Sequence, residues 1–331
     1  MVQETKQRSG WSAKRTLRVL GISRGTYYRW LQDEAWSRVE QAQAAVAPVQ
    51  AFEALPEERK AVVVYARAHG ELRHRELTWR MIDEDVAYLS VSTVYRILRE
   101  AQLMFRQRGR KKRYREEFEK AKRPDERWGT DLMYVKVHDR RYYYLGFIDE
   151  YSRYIVHWEL LSGMEGVTVA EASRRALEQL PRNPDGKLAV QPEIRSDNGS
   201  CYISKEFHGV VEHFGLTHLK ITPHCPEENG IMERSNRTIR EGLDEVELET
   251  DPFAGRYEAE DALRKIVEWY NGRRLHSSLG FLRPADYYRG EPSVLHEERR
   301  RKLTTARHRR REKNLQLQQP TLPLEPGPTS L

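Results

Sequence analysis

The 331-residue sequence predicts an α/β core of five strands and flanking helices, preceded by an all-α region. Two observations lead to this prediction. Before residue 104 the apolar residues recur at helical spacing, whereas from Arg127 onward they alternate with the period of two that is typical of strands. After Arg127 the predicted elements come in the order three strands, helix, strand, helix, strand and helix.

The first predicted elements are two short helices joined by a turn. Ser12 is placed to cap a helix over residues 13–20, and Gly21 supplies its stop. Ser23 is placed to cap a second helix over residues 24–31. Two helices with so short a connection predict a helix-turn-helix, a motif common in DNA-binding proteins.

The second of these helices has a basic face. Its spacing predicts that Arg24, Thr26 and Arg29 point outward while Tyr28 and Leu31 pack inward. We expect Arg24 and Arg29 to bind DNA. The alternative is a small helical hairpin whose basic face is only solvated.

A second helical group follows between residues 56 and 104. Pro56 suits the first turn of a helix, and Ser90 or Ser92 is placed to cap the last helix of the group. The predicted helices cover residues 57–69, 73–84 and 90–101. The short polar turns between them predict a second DNA-binding trihelical unit.

Residues 105–123 form a basic run with Gly109 inside it. A charge run of this kind is usually a solvated linker. Because this one joins a candidate DNA-binding region to the α/β core, contact with DNA phosphates is the favoured interpretation. We expect these contacts from four consecutive basic residues: Arg110, Lys111, Lys112 and Arg113.

The first strand of the core carries an acid on an apolar face. Asp131, Met133, Val135 and Val137 alternate, so the carboxylate of Asp131 lies on the same face as three apolar side chains. An acid in that position lies at the edge of the core, unlike an ordinary surface acid. The remaining core elements are predicted as strands over 141–148, 153–161, 192–196 and 216–221 and helices over 165–180, 204–214 and 258–270.

Two further acids follow. Asp197 comes at the end of the strand over 192–196, and Glu233 lies in a helix that begins near Asn229, with 35 residues between the two acids. Carboxylates from three elements form the oxygen-rich site that Mg²⁺ prefers. Two such ions can hold both the attacking and the leaving oxygen of a phosphoryl transfer. The pattern therefore predicts a metal-dependent polynucleotidyl transferase with Asp131, Asp197 and Glu233 as catalytic and metal-binding residues.

The helix that carries Glu233 also presents polar and basic residues in line with it. Asn236, Arg237 and Arg240 follow at three, four and seven positions, which places them on the same face. We expect Arg237 and Arg240 to contact DNA beside the metal. The alternative is a surface ion pair between Glu233 and Arg237, which would contribute only about a few tenths of a kcal/mol.

Three sequence blocks resemble the Asp-Asp-Glu signature of the integrase core that retroviral integrases share with bacterial insertion-sequence transposases. They are Trp128-x-x-Asp131, Ser196-Asp197-Asn198-Gly199 and Asn229-Gly230-x-x-Glu233-Arg234. The block from Tyr270 to Ala285 resembles the segment that follows the core in the insertion-sequence group. The stretch from Arg18 to Tyr28 is similar to the start of their OrfB-type proteins.

The resemblance implies an RNase H-like integrase core with a mixed five-stranded sheet. It also implies DNA cleavage at the ends of an insertion element and strand transfer, with Asp131, Asp197 and Glu233 as the catalytic triad and Mg²⁺ as cofactor. Two ions are expected, and Mn²⁺ is expected to substitute. The implied partners are terminal-repeat and target DNA, further copies of the chain assembled on DNA, and a separately encoded helix-turn-helix protein.

Residues around the triad receive supporting roles. Asn198 and Gly199 are expected to support the site, because glycine lets the backbone approach closely. Arg240 resembles a basic residue that the family places seven positions after the glutamate, where it contacts DNA. For Arg274 and His276 two interpretations stay open, contact with DNA and bracing of the core.

Two other classes of function are compatible with parts of the sequence. One is a DNA-binding regulator built on a retired catalytic core, which the presence of all three acids argues against. The other is a plain nuclease of the RNase H type, which needs neither sequence-specific end binding nor a helix-turn-helix region.

Composition argues against several further classes. The two cysteines, Cys201 and Cys225, lack paired metal-ligand spacing, so neither a disulfide framework nor a zinc site is expected. The longest apolar runs are far shorter than the roughly 20 residues that span a bilayer, and no signal peptide is recognisable. We therefore expect a cytoplasmic protein that does not bind membranes.

Charge is distributed unevenly along the chain. Residues 1–123 hold 26 Lys and Arg against 16 Asp and Glu, whereas residues 124–290 hold 22 against 29. A basic front and an acidic centre suggest a region that binds phosphates and a core whose carboxylates await metal. The predicted domains are a helix-turn-helix with linker (1–55), a second helical unit (56–104), a basic linker (105–123), the catalytic core (124–248), a helical extension (249–290) and a basic tail (291–331), disordered from residue 299.

Overall fold

The chain divides into two compact units. The first comprises Met1–Arg59 with Thr304–Leu331, and the second comprises Lys60–Leu303. The structure is a computed structural model, and it describes residues 10–28, 50–104, 120–222, 229–249 and 253–318, together with Val2 and Thr5.

Two short helical segments occupy the region predicted as a helix-turn-helix. Helix α1 spans Ala13–Val19, Gly21 follows it with a φ of 68°, and residues 24–28 are again helical. The hydroxyl of Ser23 accepts a hydrogen bond from the Thr26 N–H at 3.0 Å, as expected of a helix cap. The turn at Gly21 and the cap at Ser23 therefore agree with the prediction.

Two local expectations in this region are wrong. Ser12 occupies the cap position of α1, but its side chain makes no capping hydrogen bond. Tyr28 was predicted to pack inward, yet it is 52% exposed, because its ring packs edge-on against Tyr27 at 5.5 Å and not into a core. Arg29 and Leu31 lie outside the described residues.

Three helices fill the region predicted as the second helical group. They are α2 (Pro56–Ala68), α3 (His74–Asp83) and α4 (Val91–Glu100). Ser90 caps α4 by accepting a hydrogen bond from the Thr93 N–H at 3.2 Å. Buried apolar side chains recur at the predicted spacing: Val62, Leu77, Met81, Ile82, Val94, Ile97 and Leu98. Most of the basic run that follows, including Arg110, Lys111, Lys112 and Arg113, lies outside the described residues.

A five-stranded mixed sheet forms the centre of the second unit. Its strands are β1 (Arg127–Val137), β2 (Arg140–Asp149), β3 (Ile155–Leu161), β4 (Glu193–Ser196) and β5 (His218–Lys220). The spatial order is β3-β2-β1-β4-β5. Neighbours among β1, β2 and β3 are antiparallel, whereas β1 pairs with β4, and β4 with β5, in parallel. The RNase H-like sheet implied by the resemblance is therefore confirmed.

Helices cover both faces of this sheet. One core cluster joins it to α5 (Gly166–Glu178) and α6 (Lys205–His213). A second core cluster joins the opposite face to α7 (Gly230–Glu249) and α8 (Arg256–Gly272). The alternating residues of β1 divide between these two cores, as the period of two requires.

This alternation decides the side of the sheet on which Asp131 lies. Trp128 belongs to the core with α5 and α6, whereas Met133, Val135 and Val137 belong to the core with α7 and α8. Asp131 shares the second face, so its carboxylate points toward the side occupied by α7. The predicted position of Asp131 at the edge of an apolar face is confirmed.

Gly146 is the cross-strand neighbour of Asp131. A Cβ atom at Gly146 would lie 2.9 Å from the Tyr144 ring and 3.1 Å from the terminal methyl carbon of Met232 on α7. The absence of a side chain therefore lets α7 pack closely against the sheet beside Asp131.

The C-terminal part is helical, contrary to the predicted disorder. A 3₁₀ turn (Ser277–Leu279) and α9 (Pro284–Tyr288) precede α10, which spans Pro292–Gln318. The expectation of disorder is therefore wrong for residues 299–318, and residues 319–331 lie outside the described part of the chain.

Polar side chains hold α10 in place. The prediction of disorder considered only the low apolar content of this segment and missed these contacts. Arg299 donates hydrogen bonds to both carboxylate oxygens of Asp83, at 2.7 and 2.6 Å. In the first unit Arg310 donates to Glu58 at 2.8 Å. Buried charged pairs of this kind supply contacts that a count of apolar residues does not register.

Within the described ranges, no helix combines the length and the apolar character that crossing a membrane requires. The cytoplasmic location stays a prediction.

Candidate active site

Asp131 lies within β1, four residues after its start, and is half-buried. Two donors hold its carboxylate. The Leu132 N–H donates to Oδ1 at 2.8 Å, and the side-chain amide of Asn236 donates to Oδ2 at 2.9 Å. Because both oxygens are bonded, the carboxylate has a defined orientation.

Asp197 follows directly after β4, as predicted. The Gly199 N–H donates to Asp197 Oδ1 at 2.9 Å, and a Cβ atom at Gly199 would come within 2.9 Å of the same oxygen. The side-chain amide of Asn198 donates to the carbonyl of Ile221 at 3.1 Å. These contacts agree with the supporting roles expected of Asn198 and Gly199.

Glu233 lies in the first turn of α7 and is exposed. Asn236 follows one turn later, is buried, and reaches Asp131 on β1. Helix α7 therefore contributes both an acid and the amide that orients a second acid. The sequence placed Asn236 on the face of Glu233, but its bond to Asp131 was missed. The signal in the sequence that could have pointed to this role is the spacing of three residues between Glu233 and Asn236.

Burial and neighbouring acids both change the pKa of Asp131. Burial raises the pKa of the Asp131 carboxyl to about 6, and the negative charges of Asp197 and Glu233 raise it further. The hydrogen bonds from Leu132 and Asn236 act in the opposite direction. Asp131 on β1 is therefore subject to the negative charges of the acid after β4 and of the acid on α7.

The three acids do not form a closed metal cage. Within the part of the chain that the structure describes, no three His, Cys, Asp or Glu side chains are grouped closely enough to hold an ion. The donors nevertheless fit Mg²⁺ in kind, since all are carboxylate oxygens. They also fit in charge, because the negative charges of Asp197 and Glu233, which add to the effect of burial on the pKa of Asp131, are charges that a cation would neutralise.

The alternative interpretation of Glu233 was a surface ion pair with Arg237. Both residues are described, and they form no ion pair with each other. Arg237 and Arg240 are exposed on α7, on the helix face predicted from their spacing. Their side chains are therefore available to solvent, and contact with DNA stays a prediction. Arg24 is likewise exposed.

Arg274 and His276 are half-buried. Burial lowers the pKa of His276 to about 3, and its ring packs edge-on against Tyr270 at 5.0 Å. The Arg274 guanidinium lies over Trp269 at 5.6 Å, and burial lowers its pKa. Of the two open interpretations, these contacts favour bracing of the core.

His218 on β5 contacts the residue that precedes Asp197. His218 Nε2 lies 2.8 Å from the hydroxyl of Ser196, directly before Asp197.

The sheet order β3-β2-β1-β4-β5, with acids on β1, after β4 and on α7, defines an RNase H-like protein of the integrase-core class. Residues 121–226 match one family model described as "Integrase core domain", and residues 214–284 match a second with the same description. Over residues 121–284 the chain is therefore similar to integrase-core domains.

The relatives are insertion-sequence proteins of bacteria. The transposase for insertion sequence element IS629 from Shigella sonnei is 31% identical over 50% of this chain and 52% of its own length. The transposase for IS904 from Lactococcus lactis is 29% identical over 51% of this chain and 63% of its own length. The match thus spans less than two thirds of either relative.

A solved structure is similar to the chain over the core. The HTLV-2 integrase catalytic core domain, in complex with magnesium, is 19% identical, with a TM-score of 0.39. The match covers 50% of this chain and 97% of that domain.

Proposed function

We propose that the chain is a DDE transposase that cleaves DNA at the ends of an insertion element and joins them to target DNA. The observation that supports the proposal is the placement of the three acids: Asp131 lies on β1, Asp197 directly after β4 and Glu233 in the first turn of α7. They come from three separate elements, and burial together with the negative charges of the two other acids raises the pKa of Asp131. An uncompensated group of carboxylates suits a site that works with divalent cations.

Asp131, Asp197 and Glu233 would hold Mg²⁺, with Mn²⁺ as a substitute and two ions as the expected number. Divalent ions supply electrostatic stabilisation of the attacking and leaving oxygens in phosphoryl transfer. Glu233 is exposed and has no hydrogen-bond partner in the described part of the chain, so its side chain is free to turn toward the other two acids.

The remaining residues of the site orient the acids. Asn236 and the Leu132 amide fix both oxygens of Asp131, and the Gly199 amide fixes one oxygen of Asp197. Asp131 and Asp197 thus keep a defined orientation without help from a ligand, whereas Glu233 does not. Such preorganisation lowers the cost of assembling the reactive arrangement.

The proposed reaction has two displacements at phosphorus. Water attacks the phosphodiester at an element end, and the bond to the leaving 3′-oxygen breaks to give a free 3′-hydroxyl. That hydroxyl then attacks a target phosphodiester, and the oxygen displaced there leaves as a new hydroxyl. The bonds made and broken balance, so no energy-carrying cofactor is needed.

The substrates would be the element's terminal repeats and target DNA. We propose that the helical regions before residue 104 recognise the ends and that copies of the chain assemble on DNA. The exposed Arg24, Arg237 and Arg240 would contact phosphates. A separately encoded helix-turn-helix partner is a further expectation from the resemblance.

The test is a cleavage and strand-transfer assay on labelled element ends with Mg²⁺ and with Mn²⁺. Asp131→Asn, Asp197→Asn and Glu233→Gln should each abolish both steps about as fully as the triple change, because groups that act as a unit are non-additive. DNA binding in a gel-shift assay should survive.

The matched control is Glu245→Gln, an exposed acid on the same helix. It lies twelve residues after Glu233, about 18 Å along the axis, and its loss should leave both steps intact. Near-normal cleavage by the Glu233→Gln protein would refute the assignment. Cleavage without strand transfer in the wild type would instead favour a plain nuclease.

A further inference from the structure

Helix α10 has a buried edge and an exposed basic edge in the first unit. Ala306, Arg310 and Asn314 recur every four residues and are buried, with exposures of 8%, 7% and 2%. Arg307 and Arg311 each follow one of these positions and are exposed. The two exposed arginines therefore lie next to each other on one flank of the helix, about 6 Å apart along its axis.

The buried edge fixes the orientation of this flank. Arg310 donates to Glu58 at 2.8 Å, and Lys313 donates to Glu57 at 2.8 Å. The Asn314 side-chain amide lies 3.0–3.2 Å from three backbone carbonyls, those of Gln50, Ala51 and Glu53. With these contacts on one side, α10 cannot rotate Arg307 and Arg311 away from solvent.

Arg307 is held in a geometry that leaves its donors free. Its guanidinium carbon lies 4.5 Å from the centre of the Phe52 ring, which is itself 50% exposed. Stacking covers a face of the guanidinium, whereas its five N–H donors lie in the plane and point outward. Among the described residues, no acid forms an ion pair with Arg307 or Arg311.

The acids of α10 compensate only part of its positive charge. Nine Lys and Arg stand against three Glu in α10. Arg307 and Arg311 are four residues apart, a spacing at which like charges destabilise a helix. A polyanion bound along this flank would remove that repulsion.

We propose that Arg307 and Arg311 form a surface for duplex DNA, which contacts backbone phosphates without reading sequence. This proposal rests on the proposed function, since a transposase must bind DNA. It adds a DNA-binding site in a segment that the sequence analysis predicted to be disordered. Two phosphate contacts from a fixed helix add affinity and salt dependence but no base preference.

The experiment compares full-length wild type with the double variant R307Q/R311Q. Affinity for an unrelated labelled duplex is measured across a salt series, and the slope of log K against log salt is determined. Loss of two phosphate contacts should flatten the slope by about 1.8, since each contributes about 0.9. R307K/R311K, which keeps both charges, should retain the wild-type slope.

The matched control is R256Q/R264Q on α8, where each arginine already pairs with an acid of its own helix. Arg256 bonds Glu260 at 2.8 Å and Arg264 bonds Asp261 at 2.6 Å. This variant loses the same charge and should keep the wild-type slope. An equal flattening in the control would mean that net charge alone is responsible, and would overturn the proposal.

The outcomes separate the two levels of inference. A wild type that binds DNA while R307Q/R311Q keeps its slope refutes the α10 surface and leaves the transposase proposal standing. A wild type that binds no DNA at any salt concentration refutes both. Since both side chains are exposed, the substitutions should leave the helical content unchanged, and circular dichroism checks this.

Discussion

Replacing Asp131 with Asn should stabilise the metal-free protein at neutral pH while it abolishes cleavage. The native state holds the Asp131 carboxylate half-buried beside Asp197 and Glu233, and its pKa rises from 3.8 to about 6. Asparagine has a similar shape and no charge. The substitution therefore removes a charge that is unfavourable in the folded state but not in the unfolded state.

The sign and size of the effect follow from the pKa. A carboxyl whose pKa is raised on folding contributes stability that is fully present below pH 3.8 and is lost as the pH rises through about 6. The shift corresponds to at most about 3 kcal/mol, since one pKa unit equals about 1.36 kcal/mol. Because Asp131 is only half-buried, we expect about 1–3 kcal/mol after solvent screening.

The surroundings of residue 131 can accept the amide. The Leu132 N–H would still find a carbonyl oxygen, and the amide of Asn236 can turn so that its oxygen accepts from the new NH₂ group. That oxygen has no partner in the structure. The turn places the NH₂ group of Asn236 where its oxygen had no partner, so the number of unsatisfied buried groups stays the same.

The assay is urea unfolding in EDTA, followed by tryptophan fluorescence, at pH 4.5 and 7.5. The control is Asp139→Asn, which removes the same charge from a side chain that is 89% exposed. Asp131→Asn should raise the midpoint at pH 7.5 and reduce the pH dependence, whereas the control should do neither. A midpoint at or below that of the wild type at pH 7.5 would refute the reasoning.

Three further predictions concern core packing, acid orientation and the basic run. Gly146→Ala should cost about 1–3 kcal/mol, because its Cβ would lie 2.9 Å from the Tyr144 ring. Gly209→Ala should not destabilise the protein, because a Cβ atom there meets nothing within 4 Å. Equal unfolding midpoints for the two variants would contradict the packing argument. Asn236→Leu should weaken Mg²⁺ binding roughly 10- to 100-fold by calorimetry, because Asp131 loses its orienting amide, and an unchanged affinity would make that bond dispensable. The basic run is tested by replacing four residues with alanine: Arg110, Lys111, Lys112 and Arg113. The slope of log K against log salt for DNA binding should flatten by about 0.9 for each lost phosphate contact. An unchanged slope would mean that the run is a solvated linker.

The sequence by itself determined the order of the elements in the described core and the places of the three acids. Alternation along β1 predicted the face of Asp131, and the cap at Ser90 predicted the start of α4. These features depend on neighbours within a few residues, because strand periodicity and helix capping are local rules. Local rules can be applied to a sequence without knowledge of the fold.

Only the tertiary structure decided which groups meet. Asn236 reaches Asp131 across 105 positions, and burial, which no local pattern specifies, placed His276 against Tyr270. Helix α10 was missed because its partners are acids and carbonyls more than 200 positions away, such as Asp83 and Glu58. Hydrophobic periodicity records only apolar burial, whereas the stability of α10 and the orientation of Asp131 depend on hydrogen bonds between residues that folding brings together.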